Sequence, residues 1–191
     1  GIVADLGAGT ATGVFHNLGT NTGDLDTLNG INNIVGSLWD DDITGNASAN
    51  RIDGGLGADT MVGLGGNDTY VVNSAADVVV DSSGIDKIES FVTKTLSATI
   101  DNLTLLGTAG LSGTGNSLAN TLVGNAGINR LTGANGRDTL TGGGARDIFD
   151  FNAVTETGKT ATTRDKITDF QHNIDDIDLS TIDANGSAAG N

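Results

Sequence analysis

The stretch Gly54–Val71 reads GGLGADTMV GLGGNDTYV, two nine-residue units set end to end. The first has glycine at places one, two and four, Asp59 at place six and Met61 at place eight. The second departs at Leu64 but keeps Asp68 and Tyr70 at places six and eight. Glycine lets a backbone curl, including at positive φ, so the first half of each unit is a turn. The second half is short and β-prone. In a strand, alternate side chains face opposite sides, so place eight points inward while its neighbours meet solvent.

The nine-residue phase persists on both sides. Counting back from Asp59 reaches Asn50 in GNASANRID and Asp41 in GSLWDDDIT; counting forward reaches Asp68, Asp77 in VNSAADVVV and Asp86 in DSSGIDKIE. Place eight is then Ile43, Ile52, Met61, Tyr70, Val79 and Ile88. A second run starts at Gly115: GNSLANTLV, GNAGINRLT, GANGRDTLT, GGGARDIFD. Its sixth places are Asn120, Asn129, Asp138 and Asp147, and its eighth places are Leu122, Leu131, Leu140 and Phe149. Eighteen residues past Asp147 stands Asp165, followed by Ile167. Repeats of this length point to a solenoid, which grows in one dimension by stacking coils.

Composition narrows the function. Acids outnumber bases 24 to 9 across 191 residues, for a net charge of −15. That balance argues against nucleic acid and anionic membrane surfaces as partners and suits a chain that collects cations. With no cysteine, disulfides cannot staple the fold. No apolar run is long enough for a membrane span and no signal peptide is present. The chain begins GIVADL without methionine and reads as a piece of something longer.

Taken in order, residues 1–35 read as degenerate N-terminal coils, with IVADL a short strand and GAGTATG a turn or loop; Ile34 holds an eighth place there. Residues 36–89 form the first array, and 90–114 a metal-poor β spacer in which Leu103 and Leu105 alternate with Thr104. Residues 115–150 form the second array and 151–191 a C-terminal cap. His16, in FHNLGTNTG, reads as a solvated loop residue.

The GGxGxDxUx units, with U a large apolar residue, resemble the RTX family of haemolysin-type calcium-binding repeats. DKITDFQHNIDDIDLSTIDA, Asp165 to Ala184, looks like the C-terminal region of RTX proteases and other type I secretion substrates. The chain stops at SAAGN, so the final export element is expected beyond it. The resemblance implies an all-β fold, a right-handed parallel β-roll or β-helix solenoid of nonapeptide repeats, binding several Ca²⁺ ions. Calcium takes six to eight oxygen ligands from carboxylates and carbonyls. Two nonamers make one coil, so acids 18 apart stack and can clasp an ion. The expected pairs are Asp41 with Asp59, Asn50 with Asp68, Asp59 with Asp77 and Asp68 with Asp86. In the second array they are Asn120 with Asp138, Asn129 with Asp147, and Asp147 with Asp165.

By resemblance, one turn adds the carbonyls of places one and three and its partner those of places two and four. These are Gly36 and Leu38 with Gly55 and Gly57, and Gly45 and Ala47 with Leu64 and Gly66; in the second array the partner turns offer Ala134, Gly136, Gly143 and Ala145. Against this stands a plainer possibility: Asp and Asn commonly make turns, and asparagine ladders can hold a solenoid without metal. Asp40 and Asp42 read as solvent-facing.

No catalytic pattern accompanies the repeats. HExxH, GxSxG, a Walker A loop and GxGxxG are absent, and Asp40 and Asp42 open an EF-hand spacing that lacks its glycine and distant glutamate. The expected function is a non-catalytic, secreted module that folds on extracellular Ca²⁺ and supports export and stability of a larger protein. Its partners would be calcium and, through the parent protein, type I secretion machinery. The alternative is a structural or adhesive segment of a surface protein contacting glycans or cells.

Overall fold

The computed structural model describes residues 1–13, 24–160 and 162–182, so His16 and the end of the C-terminal segment lie outside the described residues. Every described element is a strand. The chain forms two compact units, Gly1–Thr93 and Lys94–Asn191.

The first unit contains β1 (Ile2–Asp5), β2 (Thr10–Gly13), β3 (Asp24–Thr27), β4 (Asn33–Val35), β5 (Asp42–Thr44), β6 (Arg51–Asp53), β7 (Thr60–Val62), β8 (Thr69–Val72), β9 (Val78–Val80) and β10 (Lys87–Ser90). Strands alternate between two parallel stacks. One runs β1-β5-β7-β9 and the other β4-β6-β8-β10. Within the array the register is 18 residues, with Asp42 opposite Thr60 and Arg51 opposite Thr69. Two nonamers therefore do close one coil, and the unit is a parallel β-roll.

The N-terminal segment differs from the degenerate coils expected. β1 does stack in parallel on β5, and β4 on β6. β2 and β3, however, run antiparallel beyond β1. A four-residue turn at residues 6–9, with Gly9 at φ 69°, reverses the chain at once. A parallel return needs a longer crossover, and no room is left for one.

The second unit contains β11 (Lys94–Thr95), β12 (Asn102–Leu105), β13 (Ser112–Thr114), β14 (Thr121–Val123), β15 (Arg130–Thr132), β16 (Thr139–Thr141), β17 (Ile148–Asp150), β18 (Lys166–Ile167) and β19 (Asp176–Asp178). Its parallel stacks are β12-β14-β16-β18 and β11-β13-β15-β17-β19. Leu103 and Leu105 are buried and Thr104 between them is half-buried, as their alternation predicts.

Place eight builds the core. Ile43, Ile52, Met61, Tyr70, Ile88, Leu122, Leu131, Leu140 and Phe149 are all buried. Ile34, Val79 and Ile167 are only half-buried, because each lies on a strand ending a stack within its unit or, for Ile34 in β4, at its outer edge. One apolar side chain per nonamer makes a thin core. Strand-face ion pairs add little: Arg51 with Glu89, Lys87 with Glu89, and Arg130 with Asp150 and Asp178. Such partly exposed pairs contribute about 0–1 kcal/mol each.

Candidate metal centres in the turns

Place one of each glycine-led turn is glycine for a steric reason. A Cβ at Gly54, Gly133 or Gly142 would overlap the side chain of Asp59, Asp138 or Asp147 in the same turn. The acid at place six is folded under its own turn. From there it reaches one coil back, where its Oδ1 accepts the place-six backbone N–H. Asp41 N donates to Asp59 at 2.9 Å, Asn50 N to Asp68 at 2.7 Å, Asp68 N to Asp86 at 2.8 Å and Asn120 N to Asp138 at 2.8 Å. The acids thus form buried ladders on each side of the roll. Asp40 and Asp42 are exposed.

The second oxygen divides the turns into two kinds. In closed turns the place-two N–H caps the place-six side chain. Ser37 N donates to Asp41 at 2.5 Å, Asn73 N to Asp77 at 3.1 Å, and Gln171 N to Asp175 at 2.7 Å. The three Asn turns are closed in the same way: Asn46 N to Asn50, Asn116 N to Asn120 and Asn125 N to Asn129, at 2.7–2.8 Å. Their amide nitrogens go further. Asn50 Nδ2 donates to the Asn32 carbonyl, Asn120 Nδ2 to Asp101 and Asn129 Nδ2 to Leu111, at 3.0–3.1 Å. Asn46, Asn116 and Asn125 donate to carbonyls of the preceding coil as well.

Open turns lack that cap. Asp59, Asp68 and Asp138 keep Oδ2 buried with no hydrogen-bond partner, and so does Asp165. In the turns of Asp59, Asp68, Asp138 and Asp147, places two and four are left-handed: Gly55 (φ 84°), Gly57 (142°), Gly66 (110°), Gly136 (142°) and Gly143 (97°). Leu64 (76°), Ala134 (65°) and Ala145 (68°) hold the same conformation despite their Cβ atoms. Left-handed L-residues cost about 1–2 kcal/mol each, so something must hold these turns open. A buried carboxylate oxygen without a donor costs about 1–3 kcal/mol, more when charged. The strand-face ion pairs do not include Asp59, Asp68, Asp138 or Asp165.

Burial accordingly pushes these carboxyls up. Asp68 rises to about 6, by burial first and then by the charges of Asp81 and Asp86. Asp138 rises to about 7, by burial and then by Asp165 and Glu156. Asp59, Asp147 and Asp165 also rise, burial again leading. Hard oxygen donors, uncompensated negative charge and carbonyl-rich turns fit Ca²⁺. The residues present therefore suit the metal that the repeats imply.

Several placements depart from the spacing. Asp165 does not pair with Asp147: Asp138 N donates to Asp165 and Asp147 N to Asp175, at 2.8 and 2.9 Å. Residues 151–164 lengthen the coil, so β16 meets β18 at an offset of 27 residues and β17 meets β19 at 28. Asp175 is thus a ladder acid that a fixed period misses. Its signal was the unit FQHNIDDID, with Asp sixth and Ile eighth, and with Asn173 left-handed at place four (φ 65°). Asp169 was missed too; it accepts Gly142 N and Gly143 N at 2.9 and 2.8 Å. So was Asp81, which stands at place one where glycine is usual. It is buried within one cluster with Asp68 and Asp86, their ligand atoms within 4.8 Å of one another.

Comparison with known proteins agrees with this geometry. The profile of the RTX calcium-binding nonapeptide repeat (4 copies) matches residues 35–70. That of the Peptidase M10 serralysin C terminal family matches residues 97–189. Neither matched region is a catalytic peptidase domain. No curated protein matches the chain. Among the described residues no helix is long and apolar enough to cross a membrane.

Proposed function

From a chain that carries RTX calcium-binding repeats and a serralysin-type C-terminal region, we propose a calcium-binding β-roll that folds on meeting extracellular Ca²⁺ and supports export and stability of a larger secreted protein. The observation that carries this reading is the set of buried, donor-less carboxylate oxygens on Asp59, Asp68, Asp138 and Asp165. Ions would sit beside these acids, with Asp86 and Asp147, and would draw carbonyls from the turns around Gly55, Gly57, Leu64, Gly66, Ala134, Gly136, Gly143 and Ala145. Closed turns take no ion in this reading, so Asn50, Asn120 and Asn129 serve as amide stand-ins for metal.

Ion-free, the stacked acids repel one another over a thin core. Binding to the folded form alone then becomes folding free energy. Extracellular modules bind Ca²⁺ at about 10⁻⁴–10⁻³ M, so such a chain stays unfolded in a calcium-poor cytosol and folds outside the cell. Export through type I secretion machinery follows that logic.

The test is far-UV circular dichroism of chelator-treated protein titrated with Ca²⁺, with Mg²⁺ as control. A coil-to-β transition near millimolar Ca²⁺ alone is expected. An unchanged β spectrum in chelator sinks the reading. It would put first an adhesive segment contacting glycans, for which Trp39, 71% exposed beside exposed Leu38, offers an aromatic surface.

A further inference from the structure

Asp81 occupies place one of its unit, where the turns of Asp41, Asp59, Asp68, Asp138 and Asp147 have glycine. It is 7% exposed, and Asp68 and Asp86 beside it are 1% and 0% exposed. The three carboxylates place ligand atoms within 4.8 Å of one another. Tyr70 reaches into the same cluster and donates its hydroxyl to Asp81 Oδ2. The other oxygen, Asp81 Oδ1, accepts Ser82 N at 2.5 Å and Ser83 N at 3.1 Å. Asp68 Oδ2 is buried and has no donor at all. Gly63 closes the cluster from the facing turn: a Cβ there would overlap the Tyr70 hydroxyl, Asp68 Oδ2 and Asp81 Oδ2 together. The space that a side chain at Gly63 would fill is therefore taken by three converging oxygens, from Tyr70, Asp68 and Asp81.

We propose that Asp81 is a third carboxylate ligand of a cation held between the 63–68 and 81–86 turns, oriented by Tyr70, and that this three-carboxylate centre is the tightest cation site of the roll. The proposal deepens, and rests on, the calcium reading above. Its ligand is a hard cation of high coordination number, Ca²⁺ outside the cell. Affinity in such sites rises with the number of charged ligands. The two-acid arrangements elsewhere offer one carboxylate fewer and no phenol. Tyr70 acts as a hydroxyl donor to one Asp81 oxygen. The phenol thus fixes the direction of one Asp81 oxygen without adding charge. This site should fill first as Ca²⁺ rises and so seed the first unit.

Tyr70 is the chain's single tyrosine and Trp39 its single tryptophan, which makes the site self-reporting. Tb³⁺, a stand-in for Ca²⁺, would be titrated into full-length protein carrying Trp39→Phe, and its emission read through tyrosine excitation. The expected result is strong sensitised emission that is lost in Tyr70→Phe, saturates before the bulk circular dichroism change, and is displaced by Ca²⁺. Asp81→Asn, which keeps an acceptor for Tyr70, should weaken this signal's midpoint at least tenfold, whereas Asp42→Asn, at an exposed strand position, should leave it unchanged. An unmoved midpoint in Asp81→Asn overturns the proposal. So does absence of Tyr70-sensitised emission while Ca²⁺ still folds the chain, since the cluster is then a proton-sharing trio and the general calcium reading survives. If Asp81→Asn fails to fold, the luminescence lifetime of the chain with native Asp81, compared in H₂O and D₂O, decides. A Tb³⁺ ion with few bound waters supports three carboxylates, and a largely hydrated one rules them out.

Discussion

The turns around Asn120 and Asp138 lie on the same side of one roll, 18 residues apart, and solve the same problem in opposite ways. Both bury a place-six side chain beneath a turn. Asn120 accepts Asn116 N with its oxygen and gives its amide to the Asp101 carbonyl, so every group is met within the protein. Asp138 spends one oxygen on Asn120 N and leaves the other with nothing. The closed turn carries its positive partner covalently, as N–H dipoles. The open turn needs one from solution. In each array closed turns come first, at Asp41 and Asn50 and at Asn120 and Asn129, and open Asp turns follow, so a metal-independent step precedes the metal-dependent ones. At the start of the first array the same sealing is done by β1, where Ile2 N donates to Asp41 at 2.5 Å.

The hardest test of this contrast deletes each side chain in turn. Asp138→Ala should raise the Ca²⁺ midpoint of folding by on the order of tenfold, because a charged ligand is lost. Stability in saturating Ca²⁺ should fall with it. Asn120→Ala should leave the midpoint nearly unmoved and cost about 1–3 kcal/mol at any Ca²⁺ level, since the Asp101 carbonyl and Asn116 N–H lose their partner. Calcium titration and urea unfolding, read by circular dichroism, separate the two. Equal Ca²⁺ midpoints in the two variants would erase the distinction.

A second test converts one kind of turn into the other. Asn116 Nδ2 fills the space between the carbonyls of Ser97 and Ile100, at 2.6 and 2.7 Å. Asn116→Gly with Asn120→Asp frees those oxygens and adds a carboxylate, and the bound-calcium stoichiometry by equilibrium dialysis should rise by about one ion per chain. Asn120→Asp alone should destabilise the ion-free protein, because a carboxylate oxygen then faces the Asp101 carbonyl.

Acid should separate the two kinds of turn without any mutation. In the ion-free chain Asp68 and Asp138 have folded pKa values of about 6 and about 7, against about 3.9 for an unfolded Asp. The folded form binds protons more tightly, so their contribution to stability is fully present below the unfolded value and is lost as pH rises through the folded ones. Ion-free protein should therefore gain β structure as pH falls from about 7 to about 4. With Ca²⁺ present the trend reverses, since protons compete for the same oxygens. Thermal melts across that window, with and without chelator, check both signs. Asp138→Asn should remove the upper part of the ion-free transition.

How far these features were legible follows from what a period can carry. The eighth-place core and the ladder acids from Asp41 to Asp147 repeat every nine residues, so spacing alone located them. Asp175 and the partner of Asp165 were hidden because residues 151–164 shift the frame. The split between open and closed turns was only half visible. A place-six Asn announces a neutral side chain, but which atoms it saturates depends on place two, where Asn46, Asn116 and Asn125 close the turn from the other end. Asp77 makes the same point: it is an acid in perfect phase, yet Asn73 and Ser74 cap it with their N–H groups. β2 and β3 carried no repeat to read, and a tight turn decided their direction.

The smallest predicted effect probes the strain that open turns store. Ala145 is exposed and left-handed at φ 68°, at a place where Asp59's and Asp138's turns have glycine. Ala145→Gly relieves about 1–2 kcal/mol of left-handed cost. It returns about 0.4–1 kcal/mol by loosening the unfolded chain. Because the methyl is exposed, little packing is lost, and the balance is a gain of about 0–1.6 kcal/mol. Gly57→Ala runs the comparison backwards. At φ 142° the new Cβ would lie 2.7 Å from the Trp39 carbonyl carbon and 2.8 Å from Asp40 N, both backbone atoms that cannot swing aside. A loss of about 1–3 kcal/mol is expected there. Urea unfolding in saturating Ca²⁺ measures both, and a loss at Ala145→Gly would mean that the left-handed bend is not a strained one.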